Sequence, residues 1–149
     1  MELLSRDSLR IVHVDDDDNF IELGERFLKR AGFKLPIVRC ADGIMAIDYF
    51  SKVESDNAPH VILSDLHMPR MNGLGVLYWV RKNYRERDIA VYLLTSSEEP
   101  LHIRRAAALG VTEYLPKRAI FDHLIQKLNE LITTNNERYL AWKAFAQAG

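Results

Sequence analysis

The 149-residue sequence predicts an α/β protein. The expected architecture is a doubly wound, five-stranded parallel sheet in the order 2-1-3-4-5, with a C-terminal helical extension. Two observations carry this. Short, largely β-branched apolar runs alternate five times with segments whose apolar residues recur at helical spacing, and short connections join them. Gly32 and Gly110 also stop two of the helical segments where a left-handed cap is needed. Such an alternation requires a parallel sheet covered by helices on both faces.

The elements follow in order. Leu9 to Val14 (LRIVHV) reads as a central strand running straight into Asp15-Asp16-Asp17-Asp18. Phe20, Leu23, Phe27 and Ala31 mark the first helix, with Asp18 or Asn19 expected as its N-cap. Leu35 to Cys40 (LPIVRC) is the second strand. Ile44, Ile47, Tyr49 and Phe50 mark a helix that dissolves into the polar loop Glu54 to Pro59. His60 to Leu63 (HVIL) is too short for a helix, and Ser64-Asp65 ends it, which makes it a buried strand with Asp65 at its carboxyl end. Met68 to Gly73 reads as a loop, followed by a helix through Leu74, Leu77, Tyr78 and Trp79 that ends near Asn83.

Ile89 to Leu94 (IAVYLL) is the fourth strand and terminates in Thr95-Ser96-Ser97. Ser97-Glu98-Glu99-Pro100 resembles a helix start, with a hydroxyl cap, early acids and Pro in the first turn. That helix runs to Leu109. Glu113 to Pro116 is the fifth strand, followed by Lys117-Arg118. Phe121, Leu124, Ile125, Leu128 and Leu131 line the last long helix. Asn135 and Asn136 are expected to interrupt it, leaving Tyr139, Trp142 and Phe145 on a tail. That tail either packs on the body or offers a contact surface to another subunit. The expected division is a body over 1–134 and a helical tail over 135–149, with no separate output domain.

Composition narrows the function. Twenty basic residues against twenty-one acidic give a formal net charge of −1. Without a basic stripe, nucleic acid is not an expected partner. The single cysteine, Cys40, excludes an intrachain disulfide and fits a reducing compartment. No signal-peptide pattern or membrane-length apolar run occurs. A cytoplasmic protein is expected.

Chemistry-bearing residues gather at one rim. Asp15 and Asp16 end strand one, Asp65 ends strand three, Thr95 ends strand four and Lys117 ends strand five. All these ends lie along one edge of a parallel sheet, where open α/β folds bind ligands. Neighbouring strands are about 4.8 Å apart, so two or three carboxylates converge there. Like charges so close need compensation, and a hard divalent cation with oxygen ligands supplies it. Carboxylates, metal, ammonium and hydroxyl around one hollow suit phosphoryl transfer. Each residue alone is weak: an Asp after a strand often only caps a turn. His13 reads as a core residue, and His60, His102 and His123, on separate elements, suggest no histidine metal cluster.

In this conjunction, from about Leu9 to Ile132, the sequence resembles the receiver domain of two-component response regulators. The resemblance implies a flavodoxin-like fold and a stand-alone response regulator rather than a turnover enzyme. By it, Asp65 accepts a phosphoryl group from a sensor histidine kinase or phosphotransfer protein, with Mg²⁺ as cofactor. Asp15, Asp16 and Asp65 would be metal ligands, joined by the backbone carbonyl of His67. Lys117 would pair with the phosphoryl group, Thr95 would be the switch hydroxyl, and Tyr114 the aromatic that follows it (or else an ordinary core residue). His67 stands where a side chain affects how long the acyl phosphate survives. The family carries Pro directly after its lysine, whereas here Pro116 precedes Lys117 and Arg118 follows it. That junction, Thr95-Ser96-Ser97 and the aromatic tail resemble the small receivers paired with phytochrome-type kinases, and a homodimer is a further expected contact. The alternatives are a degenerate receiver acting as a constitutive adaptor and a Mg²⁺-dependent phosphohydrolase. The latter normally needs a second Asp two residues after its nucleophile, where this chain has His67.

Overall fold

A computed structural model describes residues 2–34, 36–85, 88–96, 98–118 and 120–148. Five parallel strands, β1 (Ile11–Val14), β2 (Val38–Cys40), β3 (Val61–Asp65), β4 (Ala90–Thr95) and β5 (Glu113–Pro116), form one sheet in the order β2-β1-β3-β4-β5. The order is the expected one. β1, β3 and β4 are buried along their whole lengths, which is why their sequences read as largely apolar runs. The second strand is shorter than its sequence suggests, and Leu35 lies outside the described residues.

Helices α1 (Asp18–Arg30) and α5 (Ile120–Ala148) cover one face of the sheet. α2 (Gly43–Lys52), α3 (Gly73–Asn83) and α4 (Pro100–Ala108) cover the other. Two cores result, because successive strand residues point to opposite faces. Ile11, Val61, Leu63, Tyr92, Leu94 and Leu115 pack with Leu28 of α1 and Leu124 and Leu128 of α5. Val12, Val14, Ile62, Val91 and Leu93 pack with Phe50, Leu77 and Ala106 from the other three helices.

Helix starts correct two expectations. Asp17, rather than Asp18 or Asn19, caps α1: its backbone is extended and its side chain accepts from the N–H groups of Asn19 and Phe20. Its own N–H donates to Asp15 Oδ1 at 2.9 Å, so the turn leaving β1 selects which Asp becomes the cap. α4 takes Glu99 as its N-cap residue without a side-chain capping bond, and has Pro100 in its first turn. The expected hydroxyl cap, Ser97, lies outside the described residues.

α5 overturns a third expectation. It is one continuous 29-residue helix, not interrupted at Asn135 and Asn136. Asn carries only a modest helical penalty, and here both amides work. Asn136 Nδ2 donates to Leu4 O and Asn136 Oδ1 accepts from Leu4 N, each at 2.8 Å, while Asn135 Nδ2 donates to Glu2 O. The pair fastens the N-terminal segment to the helix. Asn136→Ala is therefore expected to cost about 1–3 kcal/mol, since it leaves both Leu4 groups unpaired, and to raise amide exchange at Leu4. Unchanged stability and exchange would show that the clamp contributes nothing. Beyond it Leu140, Trp142 and Phe145 are exposed, so the last turns do not pack on the body.

Candidate functional site

Register brings the acids together. β1 pairs with β3 so that Val14 faces Ser64, which sets Asp15 and Asp65 level at the carboxyl ends of adjacent strands. Both follow residues of the α1/α5 face by two, so both side chains emerge on that side. Asp15 is fully buried, Asp65 is 7% exposed and Asp16 is exposed. One oxygen from each of the three carboxylates lies within 4.8 Å of the other two.

Lys117, one residue beyond β5, reaches across this hollow. Its Nζ donates to Asp15 Oδ2 at 2.8 Å and lies 3.6 Å from Asp65 Oδ1. Its backbone N–H donates to Thr95 O at 2.7 Å, which fastens the loop to the end of β4. The ammonium also sits 4.3 Å from the centre of the Phe20 ring, a cation–π contact that sequence reading did not anticipate. One ammonium is a small counterweight for three carboxylates. Burial, ahead of any other cause, pushes the Asp15 and Asp65 carboxyls above the usual carboxylate range, and Lys117 pulls both the other way. An all-oxygen donor set with surplus negative charge, part buried and part open, fits a hard dication.

Thr95 and Tyr114 form a second group. Thr95 follows Val91 and Leu93, which face the α2/α3/α4 core, and Tyr114 packs against that same core. The Thr95 side chain is buried and hydrogen-bonds the Tyr114 phenol; this lowers the phenol pKa against the larger upward push of burial. Thr95 and Tyr114 are thus coupled to one another, on the opposite face from the carboxylates.

The loop after β3 is built for close approach. Gly73, the first residue of α3, donates to Leu66 O at 2.8 Å, and any side chain there would drive into the Asp65 carbonyl. Arg70 adopts a left-handed φ of 68° and its Nε donates to Asp42 Oδ2 at 2.9 Å. Asp42 caps α2 through Met45 N–H, which together with Arg70 holds its carboxyl below the usual range. This Arg70–Asp42 anchor was not singled out in the sequence. Its signal was the Asp before Gly43, three residues from Met45. The His67 ring meets His102 of α4, although the two lie on separate elements.

Residues 11–129 match the model of the response regulator receiver domain. The chain belongs to this family. Among the receiver's relatives, "Probable methanogenesis regulatory protein FilR2" of Methanothrix harundinacea is 32% identical over 142 residues, covering 94% of this chain and 89% of that protein. Chemotaxis protein CheY1 of Helicobacter pylori is 25% identical over 128 residues, 86% of this chain and all of that one. Among solved structures, chemotaxis protein CheY4 of Vibrio cholerae superposes with a TM-score of 0.69 at 25% identity, covering 82% of this chain and 97% of that one. A CheY-like receiver from Methanospirillum hungatei reaches 0.75 at 18% identity, over 87% and 98%, a likeness of fold. Phosphoryl acceptance in two-component signal transduction is the general function of the family, and its members are phosphoacceptor signalling proteins. Among the described residues no helix is long and apolar enough to cross a membrane.

Proposed function

We propose that Asp65 accepts a phosphoryl group from a phosphohistidine on a sensor histidine kinase or phosphotransfer protein, in a Mg²⁺-dependent reaction. The observation that carries this is the placing of Lys117 Nζ between Asp15 and Asp65, within a hollow of three converging carboxylates. Asp15, Asp16 and Asp65, with the His67 backbone carbonyl, would hold the metal. Bound there, Mg²⁺ would neutralise charge on the phosphoryl oxygens. An Asp65 oxygen forms the new P–O bond as the P–N bond to the donor imidazole breaks. Lys117 steadies the transferred group through its ammonium. Asp15, held by Lys117 and by Asp17 N–H, keeps that ammonium in place.

The switch follows from the two-group arrangement. A phosphoryl group on Asp65 offers strong new acceptors. If the Thr95 hydroxyl turns to meet them, Tyr114 loses its partner and is free to change rotamer, altering the surface beside α4 and β5. On this reading residues 1–134 form the receiver and 135–149 a helical tail. The protein acts in the cytoplasm, its kinase is of phytochrome type, and the exposed Trp142 end of α5 offers a surface to a second copy.

The test is incubation with acetyl phosphate, with and without Mg²⁺, read by intact mass. We expect one base-labile phosphoryl adduct that requires the metal and maps, after borohydride trapping, to the Asp65 peptide. An adduct elsewhere, or none with a folded protein and saturating metal, refutes the assignment. The lifetime of the adduct should change in His67→Ala, since the ring stands two residues beyond the acyl phosphate. An unchanged decay rate would remove His67 from the account.

A further inference from the structure

His67 and His102 come from segments far apart in sequence, yet their rings meet edge to face with centroids 5.4 Å apart and planes at 66°. His67 leaves the loop after Asp65 and is exposed, while His102 lies in the first turn of α4. His102 Nδ1 is buried without a hydrogen-bond partner, and the nearest carboxylate oxygen, Glu99 Oε2, lies 3.4 Å away. Glu99 holds the N-cap position of α4, but its carboxylate makes no capping bond. The transfer of the phosphoryl group to Asp65 uses neither the ring nitrogens of these histidines nor this carboxylate; the His67 ring enters only the later decay of the adduct.

Two spacings, Glu99 to His102 and the ring pair, match a specific chemistry. Ligand atoms at 2.0–2.2 Å from a tetrahedral Zn²⁺ stand about 3.4 Å from one another, and two imidazoles on one such ion have ring centroids about 5 Å apart. We propose that Glu99, His102 and His67 form a second cation site, for a borderline transition-metal dication such as Zn²⁺, with water in the fourth position. His102 and Glu99 already stand a ligand edge apart. The His67 nitrogens stand outside ligand range of that pair, and the exposed ring supplies the third donor by turning one of them toward it. Imidazole nitrogen selects Zn²⁺ over Mg²⁺, whereas the all-oxygen hollow beside it selects the harder ion, so the two sites sort metals by donor type. A dication here ties the loop leaving Asp65 to the first turn of α4, and His67 serves the two sites through different atoms: its carbonyl for one, its ring for the other.

The test reads metal binding alone, so it stands apart from whether Asp65 is phosphorylated. The full chain is titrated with Co²⁺, and then with Zn²⁺ in competition, under millimolar Mg²⁺ to fill the acidic hollow. We expect one Co²⁺ per chain with the intense visible bands of tetrahedral coordination, displaced by one Zn²⁺. His102→Ala should abolish those bands. His67→Ala and Glu99→Gln, both at exposed positions, should weaken binding by about tenfold or more. Asp16→Asn should leave the bands in place. The proposal is overturned if micromolar Co²⁺ gives no tetrahedral spectrum. It is equally overturned if the spectrum survives in both His67→Ala and Glu99→Gln, or disappears in Asp16→Asn, which would place the ion in the acidic hollow.

Discussion

Asp65→Asn is expected to leave no phosphoryl adduct at any donor concentration and, in the absence of metal, to melt at a higher temperature than the wild type. The first effect is total because the amide oxygen cannot act as the nucleophile that the proposed reaction requires. The second follows from charge. Asp65 sits beside the fully buried Asp15, and burial and that neighbour push its carboxyl above the ordinary value, against the pull of Lys117 at 3.6 Å. A group whose folded pKa is raised contributes stability when protonated, and that contribution is lost as pH rises through the folded value. At neutral pH the ionised Asp65 is therefore a cost, and the nearly isosteric amide removes it. Lys117→Ala has the opposite sign. It strands the Asp15 carboxylate, and removing one partner of a buried pair typically costs about 3–5 kcal/mol, reduced here by solvent reaching the partly exposed ammonium. Added Mg²⁺ should stabilise the wild type, by about 2.7 kcal/mol at a hundredfold excess over its dissociation constant, and Asp65→Asn by less. Melting curves with chelator and with Mg²⁺ measure all three. A metal-free Asp65→Asn that melts below wild type would mean that its charge is a net stabiliser, and the surplus-charge account of the hollow would fail.

How much of this could be read from the chain depends on the range of the forces concerned. Strand identity was legible because β1, β3 and β4 are buried on both faces, so their residues carry the signal without help from neighbours. The rim residues followed from parallel geometry, which puts every carboxyl end on one edge. The parity of side chains was available too. Thr95 and Leu93 differ by two, as do Asp65 and Leu63, and these pairs lie on opposite faces. Long-range satisfaction was not legible. Asn135 and Asn136 look like helix breakers until Glu2 and Leu4 are seen to occupy their amides across more than a hundred residues of chain. The Asp17 cap was hidden for a related reason: among adjacent aspartates only the Asp15 side chain, already fixed by Lys117, decides between them. His67 and His102 meet through side-chain packing of a loop on a helix, which no periodicity encodes.

His13→Leu is expected to make the protein markedly more resistant to mild acid. His13 lies inside β1 with no exposed surface, neither ring nitrogen has a hydrogen-bond partner, and its ring stands edge-on to Phe20 at 5.7 Å. Burial first, then the charges of Lys117 and Arg39, lower its pKa to about 3. The unfolded chain titrates near 6.5, so between that pH and about 3 the unfolded state holds a proton the folded state lacks. Stability then falls with falling pH, by about 1.4 kcal/mol per unit, or roughly 2 kcal/mol between pH 6.5 and 5. Asp15 and Asp65 work the other way, because their raised values favour the folded state as pH falls toward the carboxylate range. The wild-type curve alone therefore mixes two opposed slopes. The difference between wild type and His13→Leu isolates the histidine, since the carboxylates are common to both chains. Leucine is close in volume and suits a fully buried position beside the Phe20 ring. Urea unfolding at pH 7 and pH 5 measures it: the variant should gain about 2 kcal/mol on the wild type between the two conditions. Parallel pH dependences would mean that the buried imidazole titrates alike in both states, which requires a hydrogen-bonding partner for its ring.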